Sequence, residues 1–505
     1  MFEPVATTLD LPELERRRLE WWAQHGIQAK YLARNDGAEK RFSFIDGPIT
    51  ANNPMGIHHA WGRTYKDLVQ RYKTMQGFRQ RYQNGFDGQG LWVEVEVEKD
   101  LGFKSKRDIE AYGVANFVEQ CKARVRRFAR RITEQTVRLG NFMDWDHSYY
   151  TMSDENNYMI WTFLQRCHER GWIYQGNDVM PWCVRCGTAI SEHEIATEGY
   201  RDVTHRSVYV RFPLVDRPNE YLLVWTTTPW TLTANVAAAV NPQLTYVRVQ
   251  QGDDVYYLSK GTLKTALHGP FRVLEELPGE ALVGWRYTGP FDNLPVAHGL
   301  EHRVLAWSEV GEAEGTGIVH IAPSCGKEDL QLWRGAGGDV PIPSPIDDSG
   351  IYVPGFEPFT GMAVGEVVEP IFRSLEERGL LYRVQPLTHR YPVCWRCGSE
   401  LVFRLVTEWF IALDAVRPQI MAVTEQIRWI PGFGMERELD WLRNMDDWMI
   451  SKKRYWGLAL PFFPCPQCGH LEVIGSREEL EQKSVGPLPP MPSPHRPWID
   501  AVRIR

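Results

Sequence analysis

RFSFIDGPITANNPMGIHHAWGRTYKDLVQRY, residues 41–72, reads as a strand, a loop rich in chain breakers and a helix, and the rest of the chain is arranged around it. Arg41 to Ile45 alternates polar and apolar residues, and Asp46, Gly47, Pro48, Asn52, Asn53 and Pro54 then interrupt the run. Apolar residues follow at Ala60, Trp61, Tyr65, Leu68, Val69 and Tyr72, a helical spacing that places His58 and His59 in the first turn. The unpaired N–H groups and partial positive charge of a helix N-terminus suit an anion such as a nucleotide phosphate. A capped surface helix with two solvated histidines has the same local pattern.

A chain of 505 residues with 43% hydrophobic and 24% charged residues has an ordinary globular composition, with room for roughly two to four domains. It contains no long uninterrupted apolar run, and the charged, amphipathic segment LDLPELERRRLEWW does not resemble a signal peptide, so no membrane partner is expected and the cytoplasm is the expected compartment. The net charge of −7 does not advertise a nucleic-acid partner, although a local basic face can still bind one.

Six of the nine cysteines fall into three identical spacings, Cys183/Cys186, Cys394/Cys397 and Cys465/Cys468. Repeated CxxC pairs in a reducing compartment read as zinc knuckles, because tetrahedral Zn2+ accepts four thiolates from two such turns. PWCVRCG and YPVCWRCG share a surround and are expected to be two halves of one site, which leaves PCPQCGH without a partner unless His470 or outside ligands complete it. Cys121, Cys167 and Cys325 stand alone and are expected to be small buried residues.

In chain order, residues 1–40 read as a helical lead-in, and 41–180 alternate strand and helix patterns as in a parallel sheet with crossover helices. There, YQNGFDGQGLWVEVE sets Asp87 among glycines, which suits an ammonium ligand and equally suits a plain turn. The run Lys122, Arg124, Arg126, Arg127, Arg130, Arg131 and Arg138 is a basic helix, either a nucleic-acid face or a solvated one. Residues 181–199 and 386–460 flank a β-rich, barrel-like insertion at 200–385, with strands VYVRF, YLLVWTTT, TYVRVQ, DVYYLS, FRVLEEL, HRVLAW and GIVHIAP. In it, WTTTPWTLTAN and GTGIVHIAPSCGKED bring hydroxyls near Asn235, His320 and Asp329; strand filler is the competing interpretation. EWFIAL and ERELDWLRNMDDWMISKKRYWG read as helical and aromatic-rich, and 461–505 as an incomplete zinc-binding insertion running into a proline-rich stretch.

Together these segments resemble the class I aminoacyl-tRNA synthetases of the branched-aliphatic group, isoleucyl members above all, across essentially all 505 residues. DGPITANNPMGIHHAWGRTYKDLVQRY is similar to the family's DGPPYANGxxHIGHAxxxxxKDxxxRY, NGFDGQGLWVE to GWDCHGLPIE, WTTTPWTLTAN to WTTTPWTLPAN and WMISKKRYWG to WCISRQRYWG, while GTGIVHIAPSCGKED matches the second editing motif. The resemblance implies an α/β fold: the first half of a Rossmann-like catalytic domain carrying an inserted editing domain and zinc knuckles. It also implies a monomeric ligase that joins isoleucine to tRNA(Ile) at the expense of ATP with Mg2+, and that hydrolyses valyl-tRNA(Ile). The family's HIGH tetrapeptide falls on Gly56, Ile57, His58 and His59, so the resemblance assigns phosphate contact to His58 and His59, the amino-acid pocket to Pro48 and the α-ammonium to Asp87. It assigns Thr226, Thr227, Thr228 and Asn235 to the misacylated 3′ adenosine and water, His320 to shaping the editing site and Asp329 to the valyl ammonium; Ser324 and Cys325 depart from the family's Gly-His.

Editing is required because a pocket cannot exclude a smaller ligand. One methylene contact is worth roughly 1–3 kcal/mol, a magnitude for which isoleucyl enzymes are themselves the standard case and which is not drawn from this chain. The family's second zinc half-site, CWFDSG segment, KMSKS loop and anticodon-binding helices follow the HRPWID segment, so the resemblance implies an N-terminal portion that is not expected to adenylate isoleucine usefully alone. A stand-alone editing hydrolase, a valyl enzyme and a non-catalytic, zinc-organised tRNA-binding module are the alternatives.

Overall fold

The computed structural model describes residues 8–44, 47–191, 194–195, 199–339, 341–488 and 493–505. Ile45 and Asp46 of the opening motif, and residues 489–492 of the proline-rich stretch, lie outside the described residues. The chain folds as two compact units, Met1–Ile173 with Arg454–Arg505, and Tyr174–Lys453.

The first unit begins with helices α1 (Leu11–Gln24) and α2 (Ile27–Ala33); the Asp10 side chain caps α1 by accepting the Glu13 N–H. Strands β1 (Arg41–Phe44), β2 (Ile49–Thr50) and β4 (Asp144–Tyr150) each pair in parallel with β3 (Arg79–Asp87). Parallel neighbours require crossovers. These are α3 (Ile57–Met75) and the series α4 (Leu91–Leu101), α5 (Lys106–Tyr112) and α6 (Val114–Arg138). Val93, Val97, Phe117, Val118, Val125 and Ile132 pack with Phe86 and Trp456 into the core of this unit. Gly85 admits the β4 neighbour, since a Cβ there would lie 2.2 Å from the Tyr149 ring.

Helix α3 has the expected period with its apolar face turned outward. Trp61, Tyr65, Leu68, Val69 and Tyr72 are exposed, whereas Arg63, Asp67, Gln70 and Thr74 are buried. Two residues of the buried polar face are held by specific partners, while the Gln70 amide has none among the described residues: Arg63 donates to Thr136 Oγ1 and Asn84 Oδ1, and Asp67 accepts the Phe142 N–H and the Arg71 guanidinium.

In the second unit, all seven strands read from the sequence between 200 and 323 form. They form no closed barrel among the described residues. Among the described residues one open sheet of six strands runs Arg272–Pro278, Thr245–Gln251, Asp254–Ser259, Glu220–Thr226, Tyr200–Pro213 and Leu381–Pro392, and another of four runs Arg286–Tyr287, His302–Ala306, Ala237–Val240 and Ile318–Ile321. A shared core of Val208, Phe212, Val224, Leu232, Val304 and Ile318 lies between them. EWFI belongs to the strand Val402–Ile411, not to a helix, as its aromatic and β-branched residues allow.

Candidate functional site

The carboxyl ends of parallel strands are where open α/β sheets bind ligands. Asp87 closes β3 there, its Oδ2 accepting the Thr50 hydroxyl at 2.8 Å and its Oδ1 the Thr151 hydroxyl at 3.3 Å. Pro48 immediately precedes β2. After β2 the chain reaches Gly56, the N-cap of α3, whose N–H donates to His59 Nδ1 at 3.1 Å. His58 is exposed with its ring 3.9 Å from that of His59. Partial burial, then the neighbouring His58 and Arg63, push His59 below the ordinary histidine range, which keeps it a neutral acceptor. The unpaired N–H groups of α3 and two imidazoles therefore share one end of the helix.

In the second unit the threonine-rich segment turns from the strand Glu220–Thr226 into a short, tight helix of two turns, Pro229–Ala234. This segment stacks hydroxyls. Thr226 and Thr228 lie 3.2 Å apart, Thr228 and Thr231 3.4 Å apart, and Thr231 Oγ1 is 2.9 Å from His320 Nε2 on the neighbouring sheet. His320 is buried, and burial pushes it down to about 4. Its Nδ1 has no hydrogen-bond partner among the described residues. Two residues past His320, the Ala322 N–H donates to Asp329 Oδ2 at 2.8 Å in the first turn of α7 (Lys327–Gly335). Burial raises the Asp329 carboxyl to about 6, against the lowering by that N–H. Gly326 makes room for it, because a Cβ there would lie 2.9 Å from the carboxylate carbon. Thr227 borders this row, partly buried. Asn235 is committed elsewhere: its amide donates to Ala237 O and its carbonyl accepts the Tyr287 hydroxyl at 2.8 Å. Thr231 was not singled out from the sequence; its signal is the three-residue step from Thr228, one helical turn on.

Cys183, Cys186, Cys394 and Cys397 come together with all four sulfurs within 4.8 Å of one another. The antiparallel pair Tyr200–Pro213 and Leu381–Pro392 accounts for this, since its register runs from Val210↔Leu381 to Tyr200↔Pro392, at the edge of both knuckles. Four convergent thiols fit a structural zinc centre, for which a cation offsets the repulsion of adjacent thiolates. Cys465 and Cys468 gather no third candidate ligand among the described residues; His470 instead faces Glu472 at 3.6 Å. In the basic helix α6, Arg124 is buried and paired with Asp100 and Glu96, so it supports the fold, while Arg126, Arg127 and Arg130 are exposed.

No helix among the described residues is long and apolar enough to cross a membrane. The profile of tRNA synthetases class I (I, L, M and V) matches residues 17–487. The isoleucine–tRNA ligase of Thermus thermophilus is 39% identical over 100% of this chain and 48% of its own length, and that of Methanopyrus kandleri is 39% identical over 98% and 48%. The chain thus spans about half the length of the curated relatives it matches. Among solved structures, a ternary LeuRS–tRNA–LeuAMS complex from Agrobacterium radiobacter K84 aligns with 91% of this chain and 52% of its own at 14% identity and a TM-score of 0.38. With a profile match across nearly the whole sequence and relatives of this identity, the chain belongs to the class I tRNA synthetases of the isoleucine, leucine, methionine and valine group.

Proposed function

We propose that the chain carries the amino-acid activation and editing parts of an isoleucine–tRNA ligase. Residues 41–180, with the lead-in 1–40, serve activation, 200–385 serve editing, 181–199 and 386–460 carry the zinc knuckle between them, the latter returning to the catalytic domain, and 461–505 are an incomplete zinc-binding insertion that holds no metal by itself. In activation, Asp87 holds the α-ammonium, Pro48 lines the side-chain pocket, and His58 and His59 meet the phosphates of ATP·Mg2+ at the start of α3. The isoleucine carboxylate attacks the α-phosphorus and pyrophosphate leaves; a carboxylate is already nucleophilic, so alignment and neutralisation of phosphate charge supply the rate, not a general base. The acyl group then passes from the adenylate to a 3′ ribose hydroxyl of tRNA(Ile), and AMP leaves. Zn2+ on the four cysteines would be structural, with every ligand supplied by the protein.

The observation that carries the editing half is the continuous row of hydroxyls from Thr226 to Thr231 ending on the neutral His320 imidazole, with the partly buried Asp329 carboxylate held by the N–H of Ala322, two residues beyond that histidine. Hydroxyls and a neutral imidazole can orient water and ribose, and a partly desolvated carboxylate pairs well with an ammonium. Deacylation of valyl-tRNA(Ile) tests this. Hydrolysis by the parent, reduced by roughly tenfold or more in Asp329→Ala through loss of a charge-assisted contact, is expected. Equal rates in both proteins would remove Asp329 from the site, and no hydrolysis by a folded parent that binds the tRNA would refute the editing role.

A further inference from the structure

Gln89 and His495 are 406 positions apart in sequence and in direct contact within the first unit. His495 is 1% exposed and lies flat on Trp456, with ring centroids 4.8 Å apart and 23° between the planes. Its Nε2 receives two amide groups, Gln89 Nε2 at 2.5 Å and Asn157 Nδ2 at 3.1 Å. A ring nitrogen facing two donors carries no proton of its own, so the proton sits on Nδ1 and is donated to Ser493 Oγ at 2.8 Å. Burial, with the charge of Lys122 adding to it, pushes the imidazole down to about 4 and keeps it an acceptor at neutral pH.

Trp456 grips the same loop at two further points. Its indole N–H donates to Gly88 O at 2.6 Å, and its carbonyl accepts the Gly90 N–H at 3.0 Å. The Tyr455 and Trp456 N–H groups are in turn fixed on Glu94, a fully buried carboxylate, at 2.8 and 2.6 Å. Each of the three residues that follow Asp87 is therefore tied to the returning segment: Gly88 and Gly90 to Trp456, Gln89 to His495. Two glycines in three positions make an intrinsically mobile loop, costly to order. Across the loop, the Gly88 N–H donates to the Thr151 hydroxyl, which itself donates to Asp87.

We propose that His495 and Trp456 are positioning residues that fix the 88–90 loop and thereby aim the Asp87 carboxylate at the ammonium of the amino acid. This rests on the proposed role of Asp87. Trp456 and His495 thus belong to the amino-acid site although neither side chain is asked to touch the ligand. An ammonium contact is short and directional, so a small displacement of the carboxylate costs affinity for the amine and leaves contacts to the rest of the ligand in place.

The test uses the full chain in parent, His495→Ala, His495→Gln, Gln89→Ala and Asp87→Ala forms, with amide hydrogen exchange at Gly88 and Gly90 and equilibrium binding of L-isoleucine and of its des-amino analogue. Gln89→Ala breaks the link from the loop side and leaves the Trp456 stack in place, so it guards against a core defect. Expected are faster exchange at both glycines in His495→Ala and Gln89→Ala, and isoleucine binding weakened by roughly tenfold with the des-amino analogue unchanged. His495→Gln, whose amide oxygen can replace the acceptor, restores part of both. Unchanged exchange in Gln89→Ala and His495→Ala overturns the clamp, whatever the ligand results. Faster exchange with unchanged isoleucine binding, or with equal losses for the two ligands, overturns its positioning role. Isoleucine binding that survives Asp87→Ala, or that is absent in the parent, refutes the role of Asp87 and with it the positioning role, while the exchange data still report on the clamp.

Discussion

Asp329 sits in the first turn of α7, where its carboxylate accepts the Ala322 N–H, yet burial outweighs that bond and lifts it from 3.8 to about 6. A carboxyl whose folded value is raised binds its proton more tightly in the folded state. Its contribution to stability is present in full below the unfolded value of 3.8 and is lost as the pH rises through about 6. At neutral pH the ionised carboxylate therefore costs the folded state about 1–2 kcal/mol after allowance for screening. Asp329→Asn keeps an acceptor for Ala322 and removes the charge, so urea denaturation at pH 7.5 should give a variant more stable by about 1–2 kcal/mol, with a much smaller difference at pH 4. A variant equally or less stable at pH 7.5 would show that the carboxylate is better solvated than its surroundings indicate. Residue types were the legible part of this site: threonines and a histidine inside apolar strands stand out by their cost of burial. The hydroxyl row through Thr231 was not legible, because a short helix rather than a strand follows Thr228. Neither was the commitment of Asn235 to Tyr287, a partner 52 positions away.

At the scale of elements, the parallel arrangement of β1 to β4 was readable from alternation and breakers, and the two CxxC surrounds announced their pairing. What the periods could not give is direction and closure. A helical stripe on α3 shows where the apolar residues lie, but the inward face is decided by Thr136, Asn84 and the Phe142 N–H, which satisfy Arg63 and Asp67. Strand signals likewise say nothing of whether a sheet closes, since closure depends on register and stagger among strands far apart in sequence. The cysteine knuckles carry a prediction at this scale. The four sulfurs converge because a long antiparallel pair returns Cys394 to Cys183, whereas Cys465 and Cys468 gather no third candidate ligand among the described residues. Metal analysis of the purified protein should find one zinc equivalent. Cys186→Ser with Cys394→Ser should abolish it and lower stability by roughly several kcal/mol, as expected for a structural site, while Cys465→Ser with Cys468→Ser should leave the metal content unchanged. A second equivalent lost with Cys465 and Cys468 would contradict the assignment.

For the molecule as a whole, the chain leaves the first unit once, at Ile173, and re-enters it once, at Arg454. Tyr174–Lys453 is therefore a continuous stretch that contains both open sheets, their common core and all four clustered cysteines. The first unit is discontinuous, and Trp456, Ile474 and Leu480 from its second segment complete its cores. A unit with its own core and contiguous sequence can fold by itself, whereas one built from two separated segments needs both. Residues 174–453 expressed alone with Zn2+ should thus unfold in one cooperative transition and lose that transition on chelation. Residues 8–173 alone, without Trp456 in the core or the Glu94 contacts to Tyr455 and Trp456, should show no such transition. Calorimetry of the two pieces decides the matter: a non-cooperative 174–453 would mean that the inserted unit depends on the first, and a cooperative 8–173 would mean that the returning segment adds little to the fold it closes.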